Sequence, residues 1–404
     1  MTADTEALPR GAITWLSTAA FASALSLRVN DALLPKLANV FDISLGSASQ
    51  VIGLFATAYG LAQLFFGPVG DRFGKYRVIG WAAVACTVTA LGCAAAPGFA
   101  TLRIARACAG ATAAAMIPLS MAWIGDVVPY EGRQPVLARF LIGQILGLCA
   151  GAWVGGFAAD HTSWRAPYVL IAVLFAAVSV GVLRLERRLP LHARVTRASG
   201  GHVLGRLVAE FGGVLAQPWA RRILVVVFLE GAFLFGPFAF IATHAHRTLG
   251  LSLSAAGALV MLFGLGGFGF ALAATRLVAR LGEAGLARWG GAFMSVAMLA
   301  IAFAPAWGWA VAGCFLLGLG YYMLHNTLQV NATQMAPDRR GAAVAAFASC
   351  FFLGQSAGVA LGGWWVGTIG TARFLAFGAV GVLGTALAFV ALRRRHLQGT
   401  PGER

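Results

Sequence analysis

Four ionisable side chains fall inside otherwise apolar stretches of this 404-residue chain: Arg28, Asp31, Arg106 and Glu230. Each costs about 2.5–3.5 kcal/mol at the centre of a membrane helix, and such groups persist mainly where they pair or face a water-reached cavity. Arg28 and Asp31 stand three residues apart, on one helical face. A carboxylate in low-dielectric surroundings takes up a proton near neutrality unless a cation opposes it, so it can trade that proton for another ligand. Asp31 has Arg28 beside it, whereas Glu230 has no cation near it in its own stretch. Glu230 is therefore the better candidate proton carrier, with Asp31 second. A fixed network of Arg28, Asp31 and Arg106 that only holds the first half together is an equally open reading.

Other polar groups accompany them. The stretch near 307–334 carries Tyr321, Tyr322, His325, Asn326 and Gln329, and the next carries Gln355. His325 either titrates and touches cargo or is a hydrogen-bonded bystander. Phe233, Phe235, Phe238 and Phe240, with the two tyrosines, suit a cavity for amphipathic organic molecules. His244 and His246 diverge at i, i+2 on a helix with no carboxylate or Cys nearby, so no metal site is expected. No nucleophile triad or phosphate loop is present. The glycine run at 264–269 follows no strand, so it is no nucleotide site. Neither an enzyme nor a bound cofactor is indicated.

The elements that must position these groups follow from composition. The chain is 59% hydrophobic and only 11% charged, with mean hydropathy +0.79, against about 45–50% and 25% for soluble domains. That excludes a water-soluble enzyme and a disordered chain. Stretches of about 20 apolar residues, enough to cross a bilayer, lie near 12–36, 48–69, 77–96, 100–124, 136–159, 165–185, 221–243, 252–277, 286–304, 307–334, 341–366 and 372–392. The expectation is an all-α membrane protein of twelve transmembrane helices. The net charge of +16 follows from loop cations rather than nucleic acid. With both termini in the cytoplasm, 23 Lys and Arg fall on the inner side and five on the outer. Residues 186–220 form the one long polar segment, in which Leu207, Val208, Phe211, Val214 and Leu215 recur at helical spacing. This predicts an amphipathic helix on the inner membrane surface, linking a bundle at 1–185 to a second at 221–404.

The two bundles are copies. Shifted by 207, residues 133–156 match 340–363 at nine of 24 positions, including Arg133/Arg340, Phe140/Phe347, Gly147/Gly354 and Gly151/Gly358. At 208, Arg72 and Gly74 fall on Arg280 and Gly282, and Trp81 on Trp289. Six helices per copy makes the repeat parallel, with a pseudo-two-fold along the membrane normal and a central site between the halves.

The turn after the second stretch reads GPVGDRFGKYR, and its residues Gly67, Gly70, Asp71, Arg72, Gly74, Lys75 and Arg77 resemble the loop motif of the major facilitator superfamily. Tyr59-Gly60-Leu61-Ala62-Gln63 before it is similar to that of the twelve-span drug:proton antiporter branch. Arg106-Ala107-Cys108-Ala109-Gly110 resembles its arginine–glycine motif. Gly147, Gly151, Gly155 and Gly156 are similar to the antiporters' glycine motif, with Ala152 standing where that motif has proline. The resemblance implies a major facilitator fold in which spans 1, 4, 7 and 10 line the cavity and Arg106 comes near Asp31. It further implies that Asp71 bridges to the eleventh helix as an inner-gate latch. The glycine steps Gly147/Gly151/Gly155, copied as Gly354/Gly358, either border the two halves and let them rock or serve plain helix packing. The expected activity is alternating-access, proton-coupled efflux of a small amphipathic molecule by a monomer in the inner membrane. Proton-symporting uptake of a sugar or organic anion is the alternative.

Overall fold

A computed structural model describes residue 9 and residues 11–194 and 203–398. Arg10, Arg197 and Arg404, counted among the inner cations, lie outside the described residues. Within them, nine uninterrupted helical stretches are long and apolar enough to cross a bilayer. Two of these are each two passes folded at glycines with positive φ, Gly282 (60°) and Gly370 (80°), a backbone region open to glycine. A broken first helix supplies the remaining pass.

Span 1 is Ala12–Arg28 continued, after a turn, by Leu34–Phe41. Span 2 is Leu45–Phe73, span 3 Lys75–Ala94, span 4 Phe99–Ala113 with Met116–Val127, span 5 Tyr130–His161 and span 6 Ala166–Glu186. A linker helix, Val203–Ala216, leads to span 7, built from Pro218–Glu230, a π-helical turn Gly231–Phe235, and Ile241–Leu249. Leu253–Ala302 folds at Gly282 into spans 8 and 9, Trp307–Gln334 is span 10, and Arg340–Gln398 folds at Gly370 into spans 11 and 12. An even number of spans places the start of span 1, the end of span 12 and the linker helix Val203–Ala216 on one face, the terminal end; the opposite face is the far end.

Each half builds a core of its own. Leu16, Phe55, Tyr76, Phe140 and Phe175 anchor one; Phe235, Met294, Leu317 and Phe389 anchor the other. Close helix approach comes from glycine, because no side chain keeps the backbones apart. A Cβ on Gly147, Gly151 or Gly155 would run into the backbone of Phe21, Leu25 or Val29 in span 1. One on Gly354 or Gly358 would meet Phe228 or Ala232 in span 7. Of the two readings of these ladders, the structure bears out plain packing: they pack within each half, span 5 on span 1 and span 11 on span 7, so they rigidify the halves.

The seams between halves use different residues. Span 2 meets span 11 through Gly46 against Gly363, Gly53 against Ser356 and Val359, and Gly60 against Ser349 and Phe352. Span 5 meets span 8 through Gly156 against Leu253, Ala152 against Gly257, and Cys149 against Gly264. The seven-residue step on span 2 continues to Gly67, but a Cβ there would meet nothing within 4 Å. The halves are joined from the far end to mid-span, and this seam parts toward the terminal end.

Candidate functional site

Helix irregularities gather at mid-span, where a ligand site in such bundles forms from discontinuous helices. Span 1 breaks after Arg28, span 4 after Ala113, and span 7 carries its π turn directly after Glu230. π-helical turns frequently mark functional positions.

Glu230 is fully buried at 0% exposure. Its Oε2 lies 2.8 Å from Nδ1 of His325 on span 10, and its Oε1 has no hydrogen-bond partner. His325 in turn stacks on Tyr321 (centroids 4.8 Å apart) and lies beside Phe351 (4.8 Å) and Phe347 (5.4 Å). Gln355, one helical turn beyond Phe351 on span 11, is buried with neither amide atom bonded. An acid, its imidazole partner and an amide with unused hydrogen-bonding capacity thus stand on spans 7, 10 and 11 beside an aromatic cluster, with Gly231, next to Glu230, packed against the Gln355 backbone. An unsatisfied buried polar group costs about 1–3 kcal/mol, so each one in a native fold calls for a partner such as a water, a proton or a ligand, or for another role.

Closer to the far end, Arg28 Nη1 reaches Asp31 Oδ2 at 3.5 Å, and the guanidinium lies 4.1 Å over Phe235 and 4.8 Å over Phe238 of span 7. This contact closes mid-membrane between the halves. Beside it Arg28, Phe238, Cys149 and Phe263 line a cavity with room for little more than a water molecule. Asp31 keeps Oδ1 unpartnered.

Arg106 stays within electrostatic reach of Asp31, as expected, but its guanidinium turns into the N-terminal bundle rather than the central cavity. It donates to the carbonyls of Ser26 (3.1 Å) and Val51 (3.3 Å) and lies 4.2 Å over Phe55. With the Asn30 amide oriented to satisfy its neighbours, that oxygen also accepts from Arg106 at 3.2 Å. The cause is the break in span 1. Ser26 sits in the last turn before it, and a cation suits the exposed carbonyls at a helix C-terminus.

The remaining expected groups divide. Tyr321 belongs to the pocket and Tyr322 packs against Gly267 of span 8. Gln329 is half-buried one turn from His325, and Asn326, a hundred degrees round the helix, is exposed. His244 engages Thr371 and the Ile301 carbonyl while His246 engages the Leu251 carbonyl.

At the terminal end, Gly74 takes φ 89°, the turn its motif requires. Gly70 faces Leu119, Arg72 lies over Phe73, and Arg77 is exposed. Asp71 was expected to reach the eleventh helix. It pairs instead with Lys75 (2.9 Å), which also holds Asp126 at the end of span 4 (2.5 Å). With the seam parted here, span 11 is out of reach. In the second half the position matching Asp71 is Ala279, and Glu283, which matches Lys75, bonds within its own half to Arg393 (3.0 Å) and Asn331 (3.1 Å). Asp126, Glu283, Gly46 and Gly53 went unrecognised in the sequence, and Gly60 and Gly67 were read as motif residues rather than as parts of a seam. The even steps Gly46, Gly53, Gly60 and Gly67 were the available signal.

Comparison with known proteins agrees with this architecture. The chain is 26% identical over 342 residues to the uncharacterized MFS-type transporter YceJ of Bacillus subtilis (strain 168), covering 82% of this chain and 83% of that one. It is 28% identical over 149 residues to the efflux pump vrtL of Penicillium aethiopicum, 35% of this chain and 28% of that one. The crystal structure of the nucleoside transporter NupG superposes with a TM-score of 0.77 at 14% identity, over 94% of this chain and 99% of that one. The Major Facilitator Superfamily profile matches residues 16–359. Two six-helix halves, a sealed far end and a mid-membrane site are thus the fold of a secondary transporter, and the chain belongs to the Major Facilitator Superfamily.

Proposed function

We propose that this transporter exchanges protons for a small amphipathic organic molecule and exports it across the inner membrane, with the Glu230–His325 pair as proton carrier. One observation carries the reading. Glu230 is wholly buried, bonded through one oxygen to a histidine and unpartnered at the other. His325 retains 16% side-chain exposure and so gives the carboxyl a route to water.

The cycle follows from competition for one site. Inward-open, Glu230 passes its proton to the cytoplasm through His325, and cargo settles against Tyr321, Phe347 and Phe351 with polar groups on Glu230 Oε1 and Gln355. The halves rock, and a proton arriving from outside takes Glu230 and releases the cargo. Asp31, already opposed by Arg28, serves as the second coupling group, and Arg28 as the mid-membrane closure. The cation distribution supports cytoplasmic termini, which makes the present conformation inward-facing. The antiporter-like loop and glycine motifs support export, as does similarity to a protein named as an efflux pump.

The test is the sign of cargo movement in proteoliposomes carrying an imposed pH gradient, with a panel of amphipathic toxicants and metallophores. Antiport predicts cargo moving toward the acidic side. Movement with the protons assigns uptake by symport instead.

A further inference from the structure

Span 8 begins at the far end with Leu253, and its first amides are claimed by the other half. Asp160, on the last turn of span 5, accepts from the backbone N–H of Ser254 (Oδ2, 2.7 Å) and of Leu253 (Oδ1, 3.3 Å). Oδ2 also accepts from the Ser254 hydroxyl at 2.7 Å. The first N–H groups of a helix lack partners within it and carry the positive end of its dipole, so a carboxylate is well matched to them.

We infer that Asp160 is the outer-gate latch, a carboxylate of one half that holds the N-terminus of span 8 in the other and biases the transporter toward the inward-facing state. This goes beyond the proposed coupling chemistry and does not depend on it; that the latched face is the outer one rests on the cytoplasmic termini of that reading.

The repeat shows that the latch is not a requirement of the fold. Spans 2 and 8 are repeat mates, and each has its own serine cap: Ser44 accepts from Ser47 N, and Ser252 from Ala255 N. Only span 8 has an additional carboxylate from across the seam. The position matching Asp160 in span 11 is Gly367, which faces open space. The span 2–span 11 seam at that level closes by packing, Gly46 on Gly363 with Ser49 beside it and Val366 buried against the first half.

All three bonds join the halves, so separating the far ends by a few ångströms breaks them together. The released carboxylate and amides then find water, which keeps the net effect modest. About a tenfold change in the inward:outward ratio is expected, in keeping with net values for charge-assisted hydrogen bonds.

The test is hydrogen–deuterium exchange of the full chain in lipid nanodiscs, comparing Asp160→Ala, Asp160→Asn and Ser252→Ala. Opening of the gate raises uptake across the vestibule, at 44–50 and 361–368, where a purely local cap has no reach. Asp160→Ala should raise uptake there about tenfold and lower it at 62–73. Asp160→Asn, which keeps one acceptor oxygen, should do so less, and Ser252→Ala should change only 250–258. If Asp160→Ala changes only 250–258, Asp160 is a local cap and the latch is refuted. Should Asp160→Ala fail to fold, Asp160→Asn decides by the same remote segments.

Discussion

Glu230→Gln separates coupling from folding. The amide is nearly isosteric with the acid, and its oxygen can stand opposite His325 Nδ1 where Oε2 now lies at 2.8 Å. Removing one charge of a buried pair costs about 3–5 kcal/mol when the other stays charged, whereas a neutral replacement is often tolerated. Here the remaining partner, a histidine, can stay neutral. The variant should therefore melt within about 1 kcal/mol of wild type, with His325→Ala, which strands the carboxyl, clearly lower. Transport should respond oppositely. One pH unit stores about 1.4 kcal/mol per proton, so one-for-one exchange holds about a tenfold cargo ratio across a vesicle. Without a titrating carrier the ratio relaxes to about one, while cargo–cargo exchange continues. The assay is accumulation in proteoliposomes with and without the gradient, alongside counterflow. If Glu230→Gln and Asp31→Asn both build the wild-type ratio, the coupling assignment is wrong.

Two further outcomes test the seams and the buried arginine. Gly46→Val should leave a folded but inactive protein, since its Cβ overlaps the Gly363 carbonyl and the far end cannot close; Gly67→Val, facing open space, should keep the inward-facing state, as cysteine accessibility of far-end positions would report. Arg106→Ala should lower thermal stability by about 1–3 kcal/mol, because the Ser26 carbonyl at the end of its helix loses its donor, whereas Val51 inside span 2 keeps its helical partner; an unchanged melting midpoint would return Arg106 to the cavity.

Much of this architecture was legible in the residues. Apolar stretches of sufficient length appear wherever the structure has a span, because a bilayer imposes one length on every element. The duplication was equally plain, and Gly74 and Gly282 both adopt positive φ at matching turns. What could not be read was the direction in which a polar side chain turns. Arg106 and Arg28 look alike in sequence, yet one serves carbonyls freed by the break in span 1 and the other closes on aromatic rings across the halves. The only signal of that break is Pro35 in the first turn of its second piece, which does not say where the first piece ends. Pairings between distant spans were hidden too: Glu230 with His325, ninety-five residues apart, and Asp160 with Ser254. The glycine ladder of span 5 was visible as a groove, but nothing in it says whether the helix filling it comes from the same half.

The repeat explains why the mid-membrane closure has its particular chemistry. An offset of 207 sets Phe235 against Arg28, Phe238 against Asp31 and Glu230 against Ser23. Positions near a pseudo-two-fold meet their own copies, so an undiverged pair at 28 and 235 would bring two arginines or two phenyl rings together. Here the copies have diverged into complementary partners, a guanidinium stacked 4.1 Å over a ring. Such a contact is worth about 2 kcal/mol when desolvated, and Arg28 is only 4% exposed. It can be strong in the closed state and lost in the open one, as a gate requires. A double-mutant cycle over Arg28→Lys and Phe235→Leu, read as the inward:outward ratio by spin-label distances, should give a coupling of about 1–2 kcal/mol. Additive effects would mean that the stacked pair is mere packing, and the closure would then rest on the glycine seams alone.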